Sequence, residues 1–178
     1  MNLVGLDQKS ASLIGRVVLC SAIVDAVSVA PALLIVGPDT TRANRLLALL
    51  RCLCWHSLPL TGVSPAAFCS LASGARFTHL ISQAAVSDKF QKLLDDASNR
   101  DQKIPFRGRL LDLFGCQVIH TKSVLAGDSS PRRSIQVSMI PTGKELPPFD
   151  QEVQQRIAST EHASGEFAAD IGNGRGPR

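Results

Sequence analysis

Five consecutive apolar residues, Ala32 to Val36, close on Gly37-Pro38, and a leucine-rich segment with helical spacing follows. An apolar run without polar alternation is what a strand covered on both faces shows. Such a strand needs helices above and below it, so this stretch directs the chain toward an α/β architecture with a parallel sheet. Leu46, Leu50 and Leu53 recur at i, i+4 and i+7, which predicts a helix over residues 41 to about 55.

The remaining segments repeat that grammar. Residues 10–26 are mostly apolar and predict a helix capped by Ser10 or Ser12. "LPLTGV" is a short extended piece, and "SPAAFCSLAS" begins a helix with Ser64 as cap and Pro65 in its first turn. "RFTHLIS" and "GCQVIHT" are strand candidates separated by a helix that Ser87 caps. In "SIQVSMI" the residues Ile135, Val137 and Met139 alternate onto one face, as in a strand near a sheet edge. Residues 150–159 predict a last helix, and "GNGRGPR" a disordered tail. The organisation expected is one domain over residues 1–149 and a short helix and tail over 150–178.

Charge and cysteines narrow the class. The 178 residues are 44% hydrophobic and 19% charged, enough for a real core. The net charge of +4 is local: seven basic residues face three acids between Arg100 and Arg133. Five cysteines at irregular spacing suggest no disulfide framework. The apolar stretch 17–36 carries Asp25 and is broken by Pro31, so it reads as helix then strand, not a membrane span. No signal peptide is read at the start, and a cytoplasmic location without membrane attachment is expected.

Strand, Gly-Pro turn and helix are the layout of a phosphate-binding loop. Such a loop needs Gly-x-x-x-x-Gly-Lys-Ser/Thr, because backbone N–H groups wrap the phosphates, the lysine neutralises them and the hydroxyl holds magnesium. In the segment Gly37, Pro38, Asp39, Thr40, Thr41, Arg42, Ala43, Asn44, the last three positions carry none of those groups.

Seven blocks in order resemble a known family. They are "IVDA" (23–26), "APALLIVGPDTTRANRLLALLR" (30–51), "VSPAAFCSL" (63–71), "FTHLISQAA" (77–85), "DDASNR" (95–100), "LFGCQVIHT" (113–121) and "RRSIQVSMIP" (132–141). The sequence resembles the P-loop ATPase domain of uncharacterised function found in phage- and plasmid-type primase-helicase proteins. The resemblance implies a three-layer P-loop NTPase-like sheet of RecA/AAA type, mostly parallel and flanked by helices. It also implies nucleotide at the strand ends beside the loop. Where the family ends its next core strand in Asp-Glu, this chain has Ser82-Gln83. The second metal anchor and the water-orienting acid are therefore missing.

The expectation is thus a degenerate, catalytically inactive domain. It would act as an interaction or regulatory protein beside a paralogous ATPase or replication protein of a mobile element, with no cofactor and no metal. The alternative is an atypical ATPase binding ATP and magnesium through Arg42 or Arg45, with Asp39 or Asp88 on the metal. If the loop is intact in backbone, writing Gly, Lys and Thr into positions 42–44 is expected to raise nucleotide affinity by about two powers of ten.

Other features have a functional and a plain reading. Arg42 and Arg45 at a helix start, and Arg132 and Arg133 before a strand, are candidate anion ligands or solvated arginines. Arg100, Lys103, Arg107 and Arg109 interleave with Phe106 and are candidates for weak nucleic-acid binding, or an exposed loop. Cys52 and His56, four apart on a helix, would share a face that a metal could use, with helix packing as the plain reading. His79 and His120 read as satisfied core histidines.

Overall fold

The computed structural model describes residue 4 and residues 6–71, 73–122 and 134–139. The expected helix at 150–159, the tail, and Arg132 and Arg133 lie outside the described residues. Along the chain come α1 (Gln8–Ala22), β1 (Ala32–Val36), α2 (Thr40–Leu53), β2 (Ser57–Thr61) and α3 (Pro65–Phe68). Then follow β3 (Thr78–Ser82), α4 (Asp88–Ala97), β4 (Ile104–Phe106), β5 (Arg109–Leu111), β6 (Gln117–Thr121) and β7 (Ser134–Ser138).

Five strands form one parallel sheet in the order β2-β3-β6-β1-β7. The unbroken apolar run is β1, paired on one side with β6 and on the other with β7. Its side chains alternate between two cores. Leu33 and Ile35 pack with Val17 of α1 and Leu46 and Leu50 of α2, while Leu34 and Val36 pack with Phe68, Phe90 and Leu94 from α3 and α4. All five are buried, and each large one contributes about 1.5–3 kcal/mol. Among the described strands β7 lies at the edge, with Val137 and Met139 buried and Ile135 half-buried, so the alternation seen in the sequence marks its inner face.

Several boundaries differ from the sequence expectation. Asp7 caps α1, accepting from the Ser10 N–H at 2.8 Å; Ser10 and Ser12 are inside the helix. Helix α1 stops at Ala22, and a single 3-10 turn carries the rest of the segment. Helix α3 has four residues, although Ser64 and Pro65 stand where the capping pattern puts them. Ser87 caps α4 through the Phe90 N–H. Helix α2 ends at Leu53, so His56 is off the helix, with φ 46°, exposed and stacked on Trp55 at 4.8 Å. Cys52 and His56 share no helical face. Among the described residues no group of three His, Cys, Asp or Glu side chains converges as a metal site.

The basic stretch read as a loop is in fact an antiparallel hairpin of β4 and β5. Its turn places both Arg107 (φ 48°) and Gly108 (φ 74°) in the left-handed region. No helix among the described residues is long and apolar enough to cross a membrane.

Candidate functional site

The chain leaves β1 for the edge strand β2, returns through β3 and β6, and crosses β1 to reach β7. Helices therefore change face beside β1, and in open parallel sheets ligands bind beyond the carboxyl ends of the strands at such a switch. A cleft of about 540 Å³ lies there. It is lined by Thr40 and Asn44 of α2, the ends of β2 and β3 with Thr61, Ser82 and Gln83, and His120 and Lys122 of β6 and its exit. The loop after β1 and the Ser82-Gln83 pair thus meet in space.

The loop itself is not a wrap. Helix α2 begins at Thr40, three residues after Gly37, because Asp39 caps it. The Asp39 carboxylate accepts the Arg42 N–H at 3.0 Å and lies 3.1 Å from Arg42 Nε. Three further amides of the segment also bond within the protein. Gly37 N–H donates to the Thr121 carbonyl at 3.1 Å, Thr40 N–H to Pro38 at 2.9 Å, and Ala43 N–H to Asp39 at 3.1 Å. A protein carboxylate, that of Asp39, thus holds the Arg42 amide at the start of the helix.

Side chains follow from that start. Arg42, a candidate anion ligand, is buried against Asp39, and Arg45 is half-buried. Ala43, at the position a lysine would take, is fully buried with Leu33, Ile35 and Leu46. Thr41 and Asn44 are exposed, and Asn44 faces the cleft. Gly37 has a role of its own, since a Cβ there would lie 2.1 Å from the Met139 carbonyl oxygen. Only glycine lets the end of β7 pass so close to the loop.

On the opposite wall, parallel register pairs Ser82 with His120. His120 Nδ1 lies 3.3 Å from Ser82 Oγ, while Nε2 is buried without a hydrogen-bond partner. Burial pushes this imidazole below its ordinary value; the Gly37 backbone opposes that and Lys122 reinforces it. His79, also read as satisfied, is buried with Nδ1 unpartnered. Gln83 donates its side-chain amide to the Val63 carbonyl and so ties β3 to the loop after β2. Among the described residues no carboxylate lines the cleft, and Lys122 is its one charged group. Asp88 is the exposed first residue of α4 and does not line the cleft.

The basic stretch divides in two. Arg100 donates to the Val24 carbonyl at 3.1 Å and stacks over Phe114 at 5.2 Å. Lys103 pairs with Asp112 at 2.9 Å. Burial pushes the Asp112 carboxyl up, but Lys103, the Phe114 N–H and Arg76 outweigh it and hold the group below its ordinary value. These two cations brace the fold. Arg107 and Arg109 are exposed around the hairpin turn, with Arg107 5.2 Å over the Phe106 ring.

Sheet order, flanking helices and the position of the cleft define a three-layer α/β domain built on a parallel five-stranded sheet. Among solved structures the chain is similar to the JCV helicase, at 16% identity and TM-score 0.54, over 79% of this chain and 42% of that one. It is also similar to the NrS-1 C-terminal region in two apo structures, at 15% and 16% identity and TM-scores 0.59 and 0.57. Those matches cover 89% of this chain and 40% and 41% of the others. At such identities the likeness is one of fold, and this chain spans about two fifths of the length of those structures. No family model and no curated protein matches the sequence.

Proposed function

We propose that the chain is a degenerate P-loop-type domain that hydrolyses no nucleotide and serves as an interaction or regulatory protein related to mobile-element DNA replication proteins. The observation that carries this reading is the Asp39 cap. A carboxylate, paired with the Arg42 guanidinium, already takes the Arg42 amide at the helix end, so a phosphate there would have to displace it. Among the described residues no acid lines the cleft, which supports it, since a triphosphate's magnesium needs carboxylate anchors. The likeness in fold to a structure named a helicase supports a relation to helicase-type proteins. A paralogous ATPase or replication protein is the partner class, and the exposed apolar side chains Leu19, Ile23, Leu53 and Trp55 suit such a contact.

Calorimetry with Mg-ATP is expected to show a Kd no tighter than about 1 mM, and phosphate release no turnover above background. Turnover that disappears in Asp39→Ala or Arg42→Ala would establish the atypical ATPase instead.

A second activity has its own observation, the exposed pair Arg107 and Arg109 at the hairpin end. We infer that this end contacts nucleic-acid phosphates. Each phosphate contact adds about 0.7 to the salt slope for single strands, so Arg107→Ala with Arg109→Ala should lower the slope by about 1.4 and the affinity about twenty-fivefold at 0.1 M salt. Fluorescence anisotropy with a labelled oligonucleotide measures both. Equal binding by wild type and double variant removes the hairpin from the account.

A further inference from the structure

Beside the hairpin, a second pocket of about 350 Å³ opens between α3, α4 and β4. Its walls include Pro65 of α3, Leu93 of α4, and Pro105 and Phe106 of β4. Lys89 and Lys92, exposed and one helical turn apart, stand at its rim. We propose that this pocket receives one unstacked base of a single-stranded nucleic acid whose backbone crosses the hairpin end; the proposal rests on the nucleic-acid reading of Arg107 and Arg109.

Three properties converge on that occupant. The volume is at the small end of the roughly 300–1,000 Å³ of ligand pockets, room for a base and its sugar but not for a protein element. The walls are mainly apolar, and one carries an aromatic ring, the surface on which bases stack without regard to sequence. Cations flank the slot on both sides. Arg107 lies over the same Phe106 ring that lines the pocket, so the ring joins the hairpin end to the slot, and the two lysines continue the positive track beyond it. Among the described residues Asp96 is the pocket's one acid, half-buried, and its carboxylate can accept an N–H from a base edge. A duplex keeps its bases stacked and paired, so only a single strand can enter.

The test uses the full chain, a labelled single-stranded 20-mer, the same 20-mer with abasic sites, and a duplex. Ala66, exposed on α3 at the mouth, is replaced in Ala66→Trp to plug the slot. A second variant carries Lys89→Ala with Lys92→Ala, both outside the core. Wild type should bind the base-bearing strand about tenfold more tightly than the abasic strand and than the duplex. Ala66→Trp should erase the base-dependent tenfold and leave the salt slope unchanged. The lysine variant should lower the slope by about 1.4. Equal binding of normal and abasic strands, or an Ala66→Trp protein indistinguishable from wild type, overturns the pocket. If Arg107→Ala with Arg109→Ala still weakens binding in that case, the hairpin reading survives alone. Absence of any wild-type binding sinks both. An acidic tryptophan-containing peptide that binds wild type but not Ala66→Trp, with the oligonucleotide unaffected, overturns the proposal in favour of a peptide site.

Discussion

The triple variant Arg42→Gly, Ala43→Lys, Asn44→Thr writes a complete phosphate-loop sequence into the chain, and it is expected to lose stability and gain no nucleotide affinity. Position 43 is fully buried among Leu33, Ile35 and Leu46, so a lysine there must desolvate its ammonium against the sheet or push α2 off it. Burying an unpaired charge belongs to the few changes that cost more than about 4 kcal/mol. Arg42→Gly adds about 1 kcal/mol for glycine in a helix and leaves the Asp39 carboxylate without its cation. Together the loss is about 5 kcal/mol, which for a chain of this size lowers Tm by about 10–20 °C. Asn44→Thr alone should be near neutral, because Asn44 is exposed. Thermal melts followed by calorimetry with Mg-ATP decide the matter. A variant that melts with wild type and binds Mg-ATP with micromolar affinity would show that the loop opens as a wrap, and the reading built on the Asp39 cap would go.

That expectation reverses the one drawn from sequence, and the reason is local. Asp39 is a strong capping residue, and three residues on the Arg42 amide meets its carboxylate. The signal for a helix starting at Thr40 was therefore present, but the spacing from Gly37 to Asn44 competes with it and reads as a loop. The core was easier to read. An unbroken run of five residues that stops at Gly37-Pro38 is too short for a helix and reads as a strand covered on both faces, and the alternation of Ile135, Val137 and Met139 reads as a strand covered on one. Ser64 and Ser87 mark helix starts because a hydroxyl followed by helix-forming residues has few other uses. The hairpin was hidden because its strands have three residues each and its turn puts an arginine at positive φ, where Asn-Gly would have announced it. The Ser82–His120 contact joins positions 38 residues apart through the register of two parallel strands, which no local pattern encodes. Gly37 shows the same limit from the other side. It sits where a phosphate loop has its first glycine, yet the close passage of Met139 is what requires it.

Lowering the pH from 7 to 4 is expected to remove about 3 kcal/mol of stability through His79 alone. The imidazole on β3 is fully buried, with the Phe68 ring edge-on at 5.0 Å and Phe77 at 6.2 Å, and Nδ1 has no partner. Burial pushes its pKa from 6.5 down to about 4. Between those values the unfolded chain binds a proton that the native state refuses. The stability contribution is thus complete above pH 6.5 and is lost as pH falls toward 4, below which the native ring also charges and the slope from this group ends. His120 is lowered for the same reason and adds in the same direction. Asp7 and Asp112 act in a different window, since their depressed carboxyls contribute above their ordinary pKa of 3.8 and fail below it. Urea unfolding at several pH values between 7 and 4 measures the slope, and His79→Phe isolates it, because a ring of similar size cannot take the proton. The variant should lose less than half of what wild type loses over that range. Parallel curves would mean that His79 is not held neutral by burial.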